Sequence, residues 1–308
     1  MAENYYNSGD IGTTGGSVID KPKERKYVIV QSLWTKPLTD KKKFSYTMYI
    51  CALSLAYAHR SGYKVHMHTD SRGYDLLKNY GYDKLEKTLD SIPASVPTDM
   101  FAAGKFYAMR AEGVLNKVHI DTDVFIKKPC LDRFYEDISI DAICQQEEPL
   151  EWSEHSDKIY HMHILGYPSA TRPNWRGSMN TGVIGFNNPV LAAKYFSNYF
   201  DALKLYTKER LDEYKKKYKL GVLMFDFILE QKQLSYLSIG HNVYALLPTR
   251  NACFVADEIG YQHLQGDTKW DAAGMKRRKE LLKDMDKRLF DIARIAASRA
   301  GVISRIKY

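Results

Sequence analysis

Apolar positions along the chain fall into short continuous runs separated by longer stretches of helical period. KYVIVQSLW (26–34) is a β-branched run suited to a strand buried on both faces. Phe44 to Arg60, rich in Ala, Leu and Tyr, reads as a helix closed by Gly62. YKVHMHTD (63–70) then reads as a strand with Val65 and Met67 on one face and the histidines on the other. This is a β-α-β unit. FAAGKFYAMRAEGVL (101–115) predicts a helix leading into KVHIDTDVFIKKP (117–129), a strand interrupted by two aspartates and stopped at Pro129. DAICQQ (141–146) and NTGVIGFNNP (180–189) predict two more strands. Helices are expected over Pro189 to Lys208 and Leu223 to Gln233, with the charged stretch 208–219 either extending a helix or forming an exposed loop. The alternation predicts an α/β fold with a mixed, mostly parallel sheet flanked by helices.

The ends of the chain differ from this body. Residues 1–25 are polar and glycine-rich, with little to bury, and are expected to be disordered. From Met275 the apolar residues Leu281, Leu282, Met285, Leu289, Ile292, Ala293, Ala296 and Ile303 recur at helical spacing, so 275–308 is read as a basic amphipathic helical extension to a domain spanning 26–274. With 308 residues and 44% hydrophobic content the chain can bury a sizeable core. No stretch reaches the roughly 18 apolar residues of a membrane-spanning helix, and the N-terminus has no charged-then-apolar secretion signal, which predicts a soluble, cytoplasmic protein. Cys51, Cys130, Cys144 and Cys253 have no CxxC spacing and read as free thiols.

The net charge of +8 changes meaning once it is located. Of 45 Lys/Arg and 37 Asp/Glu, eleven and four lie in 275–308, so the body is almost neutral. Any peripheral contact with nucleic acid or an anionic inner membrane face is therefore expected through that extension.

The most informative polar positions are Asp121 and Asp123, at the end of an apolar run and flanked by Val118, Ile120, Val124, Phe125 and Ile126. Open α/β sheets bind ligands at the carboxyl ends of their strands. In an extended segment the two side chains share a side, where two carboxylates repel unless a cation neutralises them. Oxygen ligands suit Mn²⁺ or Mg²⁺, whose remaining positions diphosphate oxygens can fill. The triplet alone carries little, because Asp284-Met285-Asp286 repeats it in a basic helical stretch where surface partners explain it. Downstream, YQHLQGDTKW (261–270) sets a histidine, a glycine and a lysine at three-residue intervals, able to complete a metal sphere, admit phosphate to the backbone and offset leaving-group charge.

HIDTDVF followed about 140 residues later by HLQGDTKW resembles the glycogenin-like and lipopolysaccharide galactosyltransferase group, glycosyltransferase family 8, of the GT-A fold. The resemblance spans about 26–272, and the proline usual before the motif's tryptophan is missing at Trp270. It implies that Asp121, Asp123 and His263 bind the metal and that Gly266 and Lys269 bind the diphosphate. It also implies that Lys105 reaches the donor and that Asn180, Thr181 and Gly182 contact its sugar. The implied activity is transfer of a hexose from a nucleoside diphosphate sugar, UDP-linked, to an unidentified hydroxyl on glycan, lipid, protein or nucleic acid, with retention of configuration.

The remaining candidates come from the residues themselves. Asp226 and Glu230 are four apart in the apolar MFDFILEQ, and Asp226 is the expected acceptor-side catalytic residue beside Lys105 and Lys269. Trp34, ending the first strand, is the expected wall for the nucleobase. His155, His161 and His163 lack partners at zinc-site spacing and read as a loop shaping the acceptor cleft. The competing functions are a nucleotidyltransferase acting on sugar phosphates, an inactive sugar-nucleotide-binding protein, and a nucleic-acid- or membrane-binding module. VQSLWTKP (30–37) lacks the glycines expected of the first.

Overall fold

The computed structural model describes residues 26–148, 177–205, 207–218, 224–250, 252–264 and 280–300. Residues 1–25, the segment carrying His155, His161 and His163, and the stretch carrying Gly266, Lys269 and Trp270 lie outside the described residues.

The first apolar run forms β1 (Tyr27–Leu33), followed by α1 (Lys41–Arg60), which starts earlier than its apolar period because Asp40 accepts from Lys43 N at 2.8 Å. Gly62 closes the helix at φ +89°, a conformation costly for any residue with a Cβ. β2 (Tyr63–Thr69), α2 (Ser71–Leu77) and the short edge strand β3 (Lys84–Glu86) come next, then α3 (Ala103–Glu112) and β4 (Lys117–Ile120). β5 (Val124–Ile126), α4 (Asp132–Glu136), β6 (Ala142–Glu148) and β7 (Ser178–Phe186) follow. The chain continues through α5 (Pro189–Leu205) and α6 (Lys208–Tyr218), so the charged 208–219 stretch is helical over its described part. α7 (Met224–Phe227), a π-helical turn (Ile228–Lys232) and α8 (Gln233–Leu237) run on without a break. β8 (Val243–Leu247), α9 (Ala252–Ile259), β9 (Tyr261–His263) and α10 (Lys287–Arg299) complete the order.

The main sheet has seven strands in the order β3-β2-β1-β4-β7-β6-β8. Only β7 runs against the others, pairing antiparallel with both β4 and β6. This is the mixed, mostly parallel sheet flanked by helices that the alternation predicted. Every residue of β7 is buried, which explains why its sequence reads as a continuous apolar and small-residue run. Adjacent residues feed opposite faces: Ile29, Ile143 and Val183 enter one core with α1, and Val30, Cys144 and Ile184 enter the other with α3 and α5.

Two expectations are corrected. The strand expected over 117–129 is two strands, because the chain turns at Asp121–Asp123, with Val124 N donating to Asp121 O at 3.0 Å, and β5 leaves the main sheet to pair with β9. The second DxD triplet does not lie in mid-helix. Asp286 caps α10 by accepting from Leu289 N at 3.0 Å, Asp284 accepts from the Tyr57 hydroxyl, and Met285 is buried between them.

The described part of the basic extension packs into the body. Phe290, Ala293, Ala296 and Ala297 of α10 are buried in the core shared with α1, and the Phe290 ring lies 5.5 Å from that of Tyr49. Its apolar face is thus covered by the protein itself. Among the described residues no helix is long and apolar enough to cross a membrane.

Candidate active site

The turn after β4 stands at the carboxyl edge of the parallel strands, and the small sheet brings a distant segment to it. In the β5–β9 ladder Val124 is opposite His263, and Leu264 N donates to Asp123 O at 3.1 Å. His263 is therefore fixed beside Asp123, with Nε2 3.3 Å from Oδ1. One ligand atom each from Asp121, Asp123 and His263 lie within 4.8 Å of one another. The turn, rather than an extended strand, makes the two aspartates converge.

The other nitrogen of His263 has a partner of its own. Nδ1 lies 2.7 Å from Gln145 Oε1, which also accepts from the Tyr261 hydroxyl at 2.7 Å. Burial holds the Tyr261 hydroxyl well above its ordinary pKa, so it is a donor. An amide oxygen can only accept, so Nδ1 carries a proton and Nε2 is the ring atom that faces the aspartates. A fixed second nitrogen is the arrangement that metal-ligating histidines require. Gln145, in the middle of β6, had no motif to mark it in the sequence.

Gly182 makes room for this arrangement. A Cβ there would stand 2.4 Å from Gln145 Oε1 and 2.7 Å from His263 Cε1. The sugar contact implied for Gly182 is thus accompanied by a packing reason for the glycine. Its carbonyl accepts from Asp121 N at 3.0 Å, and its own N–H donates to Asn180 Oδ1 at 3.0 Å. Asn180 Nδ2 donates to Glu148 Oε1 at 3.1 Å, and Ser178 donates to the other oxygen of that carboxylate at 2.8 Å. Thr181 contributes its backbone carbonyl, which accepts from Lys105 Nζ at 2.8 Å.

Lys105, on α3, is buried beneath the turn. Its ammonium also lies 3.0 Å from Asp121 Oδ1 and donates to Glu230 Oε1, so all three of its protons have acceptors. Burial alone would lower its pKa, but the charges of Asp121 and Glu230 outweigh that and hold it above the ordinary lysine value. His119, one strand position inside, is fully buried; Nε2 meets Ser32 Oγ at 2.9 Å and Nδ1 stands 3.9 Å from Asp121 Oδ1. Burial, with Lys105 adding to it, pushes its pKa well below the usual range, so the ring is neutral.

Asp226 and Glu230 do share a face, and both address α3, at different depths. Asp226 is 1% exposed and accepts from Ala102 N at 3.0 Å at the helix start, with the Tyr199 hydroxyl 3.4 Å away. Burial pushes its pKa up to about 8. That placement is a helix-terminal contact within the core, and Glu230, one turn on and inside the π-helical turn, is the carboxylate that reaches Lys105. Trp34 is 8% exposed, inside the core under α3.

A second convergent group, His68, Glu86 and Glu112, has a different character. Lys84 pairs with both glutamates and Lys117 with Glu112, so its negative charge is already met by protein cations. Burial opposes ionisation of Glu112, yet hydrogen bonds from His66, Lys84 and Lys117 bring its pKa down to about 2. It is a structural brace joining β2, β3, β4 and the end of α3.

Comparison with known proteins places residues 27–293 under a single family model, described as a family of unknown function (DUF6734). No curated protein matches. Among solved structures, mouse xyloside xylosyltransferase 1 in its apo form aligns at 11% identity and a TM-score of 0.39, covering 72% of this chain and 85% of that one. An active-site mutant of LgtC aligns at 11% identity and 0.39, covering 86% and 99%. The glycosyltransferase GlyE of Streptococcus pneumoniae TIGR4 aligns at 13% identity and 0.40, covering 90% of this chain and 64% of that one. With identity and TM-score both this low, the chain's own residues have to carry any functional reading.

Proposed function

Because the chain belongs to the DUF6734 family, whose function is unknown, its activity has to be inferred from its own site, and we propose a metal-dependent glycosyltransferase that moves a hexose from a nucleoside diphosphate sugar to a hydroxyl acceptor. The observation that carries the reading is the convergence of Asp121, Asp123 and His263, its Nδ1 held by Gln145, at the carboxyl edge of the sheet, with the buried Lys105 ammonium against Asp121. These three side chains would hold a divalent cation, and the imidazole favours Mn²⁺ over Mg²⁺. When bound, the cation supplies Lewis-acid neutralisation of diphosphate charge.

The chain's own groups do the rest. Lys105 offers a second positive charge to the leaving diphosphate, desolvated and therefore strong. The family resemblance assigns Gly266 and Lys269, three and six positions after His263, to the phosphates. The Asn180–Gly182 segment, ordered by Glu148 and Asp121, forms the sugar-facing wall. The resemblance to family 8 supports a UDP-linked donor and retention of configuration.

The test is donor hydrolysis: purified protein with Mn²⁺ and a panel of UDP- and GDP-sugars, following release of nucleoside diphosphate and free sugar. One donor is expected to turn over, and Asp123→Ala and His263→Ala are each expected to lower the rate at least about 100-fold, as removal of a metal ligand should. Full activity in both variants would overturn the assignment.

A further inference from the structure

Lys105 and the expected cation make competing claims on Asp121. The aspartate is 3.0 Å from the ammonium and also within ligand distance of Asp123 and His263. A buried ammonium that lost its counter-ion would be strongly destabilised, so Asp121 could turn to a cation only if Lys105 kept another one. Glu230 fills that role. It is 6% exposed and accepts from the Lys105 ammonium. The π-helical turn Ile228–Lys232, with its wider spacing, sets Glu230 against Lys105 while Asp226 stays at the start of α3.

We propose that Glu230 is a positioning residue that acts through Lys105, serving as the alternate counter-ion that releases Asp121 to a divalent cation. The inference rests on the metal site proposed above. Charge counting supports it. Asp121, Asp123 and Glu230 against Lys105 leave two negative charges, which a divalent cation neutralises. Asp226 is engaged elsewhere, by Ala102 N and the Tyr199 hydroxyl. Without Glu230 one negative charge would remain, and the cation would meet the uncompensated ammonium.

The consequence is a pair of opposite effects on metal affinity from two residues that are not ligands. Mn²⁺ binding to the full-length protein is measured by calorimetry, without donor, after thermal melting has checked the fold of each variant. Glu230→Gln, which keeps the shape, is expected to weaken Mn²⁺ binding about tenfold or more, the scale of one nearby charge in a partly desolvated site. Lys105→Met is expected to tighten it. The double variant restores the two negative charges and is expected within about threefold of wild type.

Wild-type affinity in Glu230→Gln would overturn the inference, as would Lys105→Met binding as poorly as Asp123→Ala. If Glu230→Gln does not fold, the double variant decides, because a loss as large as that of Asp123→Ala contradicts charge compensation. These failures are distinct from failure of the metal site itself. In that case the wild type binds no Mn²⁺, or Asp123→Ala and His263→Ala leave binding unchanged, and both readings fall together.

Discussion

Gly182 shows how much of the site depends on a single absent side chain. The space a Cβ would take is filled by the Gln145 amide and the His263 ring, both held in one hydrogen-bonded set with Tyr261. Gly182→Ala is expected to displace the imidazole and lower Mn²⁺ affinity about 10- to 100-fold, the usual cost of losing the contact that orients a ligand. Calorimetry on the folded variant checks it, and an unchanged affinity would remove Gln145 and Gly182 from the account. Glu112 is the residue whose role can be read from pH. Its folded pKa of about 2 lies below the ordinary 4.5, so its contribution is fully present above about pH 4.5 and is lost as pH falls towards 2. Glu112→Gln should cost about 2–3 kcal/mol at pH 7 and less than about half of that near pH 3. Urea denaturation at the two pH values measures this, and a difference from wild type that is independent of pH would contradict it.

Among the elements, α10 and the β5–β9 pair do work that their sequences understate. α10 looks like a free amphipathic helix until its partner is known. Its buried alanines let it approach α1 closely, and Phe290 fills the gap beside Tyr49. Truncation before residue 280 would uncover the apolar side of α1, so the shortened chain is expected to lose cooperative folding. The milder Phe290→Ala should cost about 3–5 kcal/mol. Soluble yield and urea denaturation test both, and a truncated chain of undiminished stability would show the helix to be an appendage. β9 is only three residues long, too short for a period-2 pattern to announce it, yet its register with β5 is what delivers His263 to Asp123.

For the molecule as a whole, the two cores on either face of the seven-stranded sheet hold the site's parts on rigid strands, and metal binding should report on the entire fold. A ligand present at about 100 times its Kd adds about 2.7 kcal/mol to stability. For a chain of this size each kcal/mol raises Tm by about 2–4 °C. Mn²⁺ is therefore expected to raise the wild-type Tm by several degrees, reversed by a chelator, with no rise in Asp123→Ala. An equal rise in both would show binding elsewhere. Of the basic residues in the 275–308 extension, Lys287 and Arg294 lie exposed on the docked α10, where both pair with Asp291.

The α/β class, the strands of the sheet's centre and the candidacy of Asp121, Asp123 and His263, which the fold brings together, were legible in the sequence, because buried strands need continuous apolar runs and adjacent carboxylates need an explanation. The motif on which the histidine rested extends beyond the described residues at Gly266 and Lys269. Gln145 and the partnership of Glu230 with Lys105 were not legible. Each depends on residues 118 and 125 positions apart, and no local pattern encodes a contact across that distance. The same limit applies to Asp226, whose contact with the start of α3 at Ala102 N joins residues 124 positions apart. Local chemistry thus determined which side chains were worth attention, and tertiary packing alone decided which of them meet, because a side chain's role is set by the partner that desolvates it.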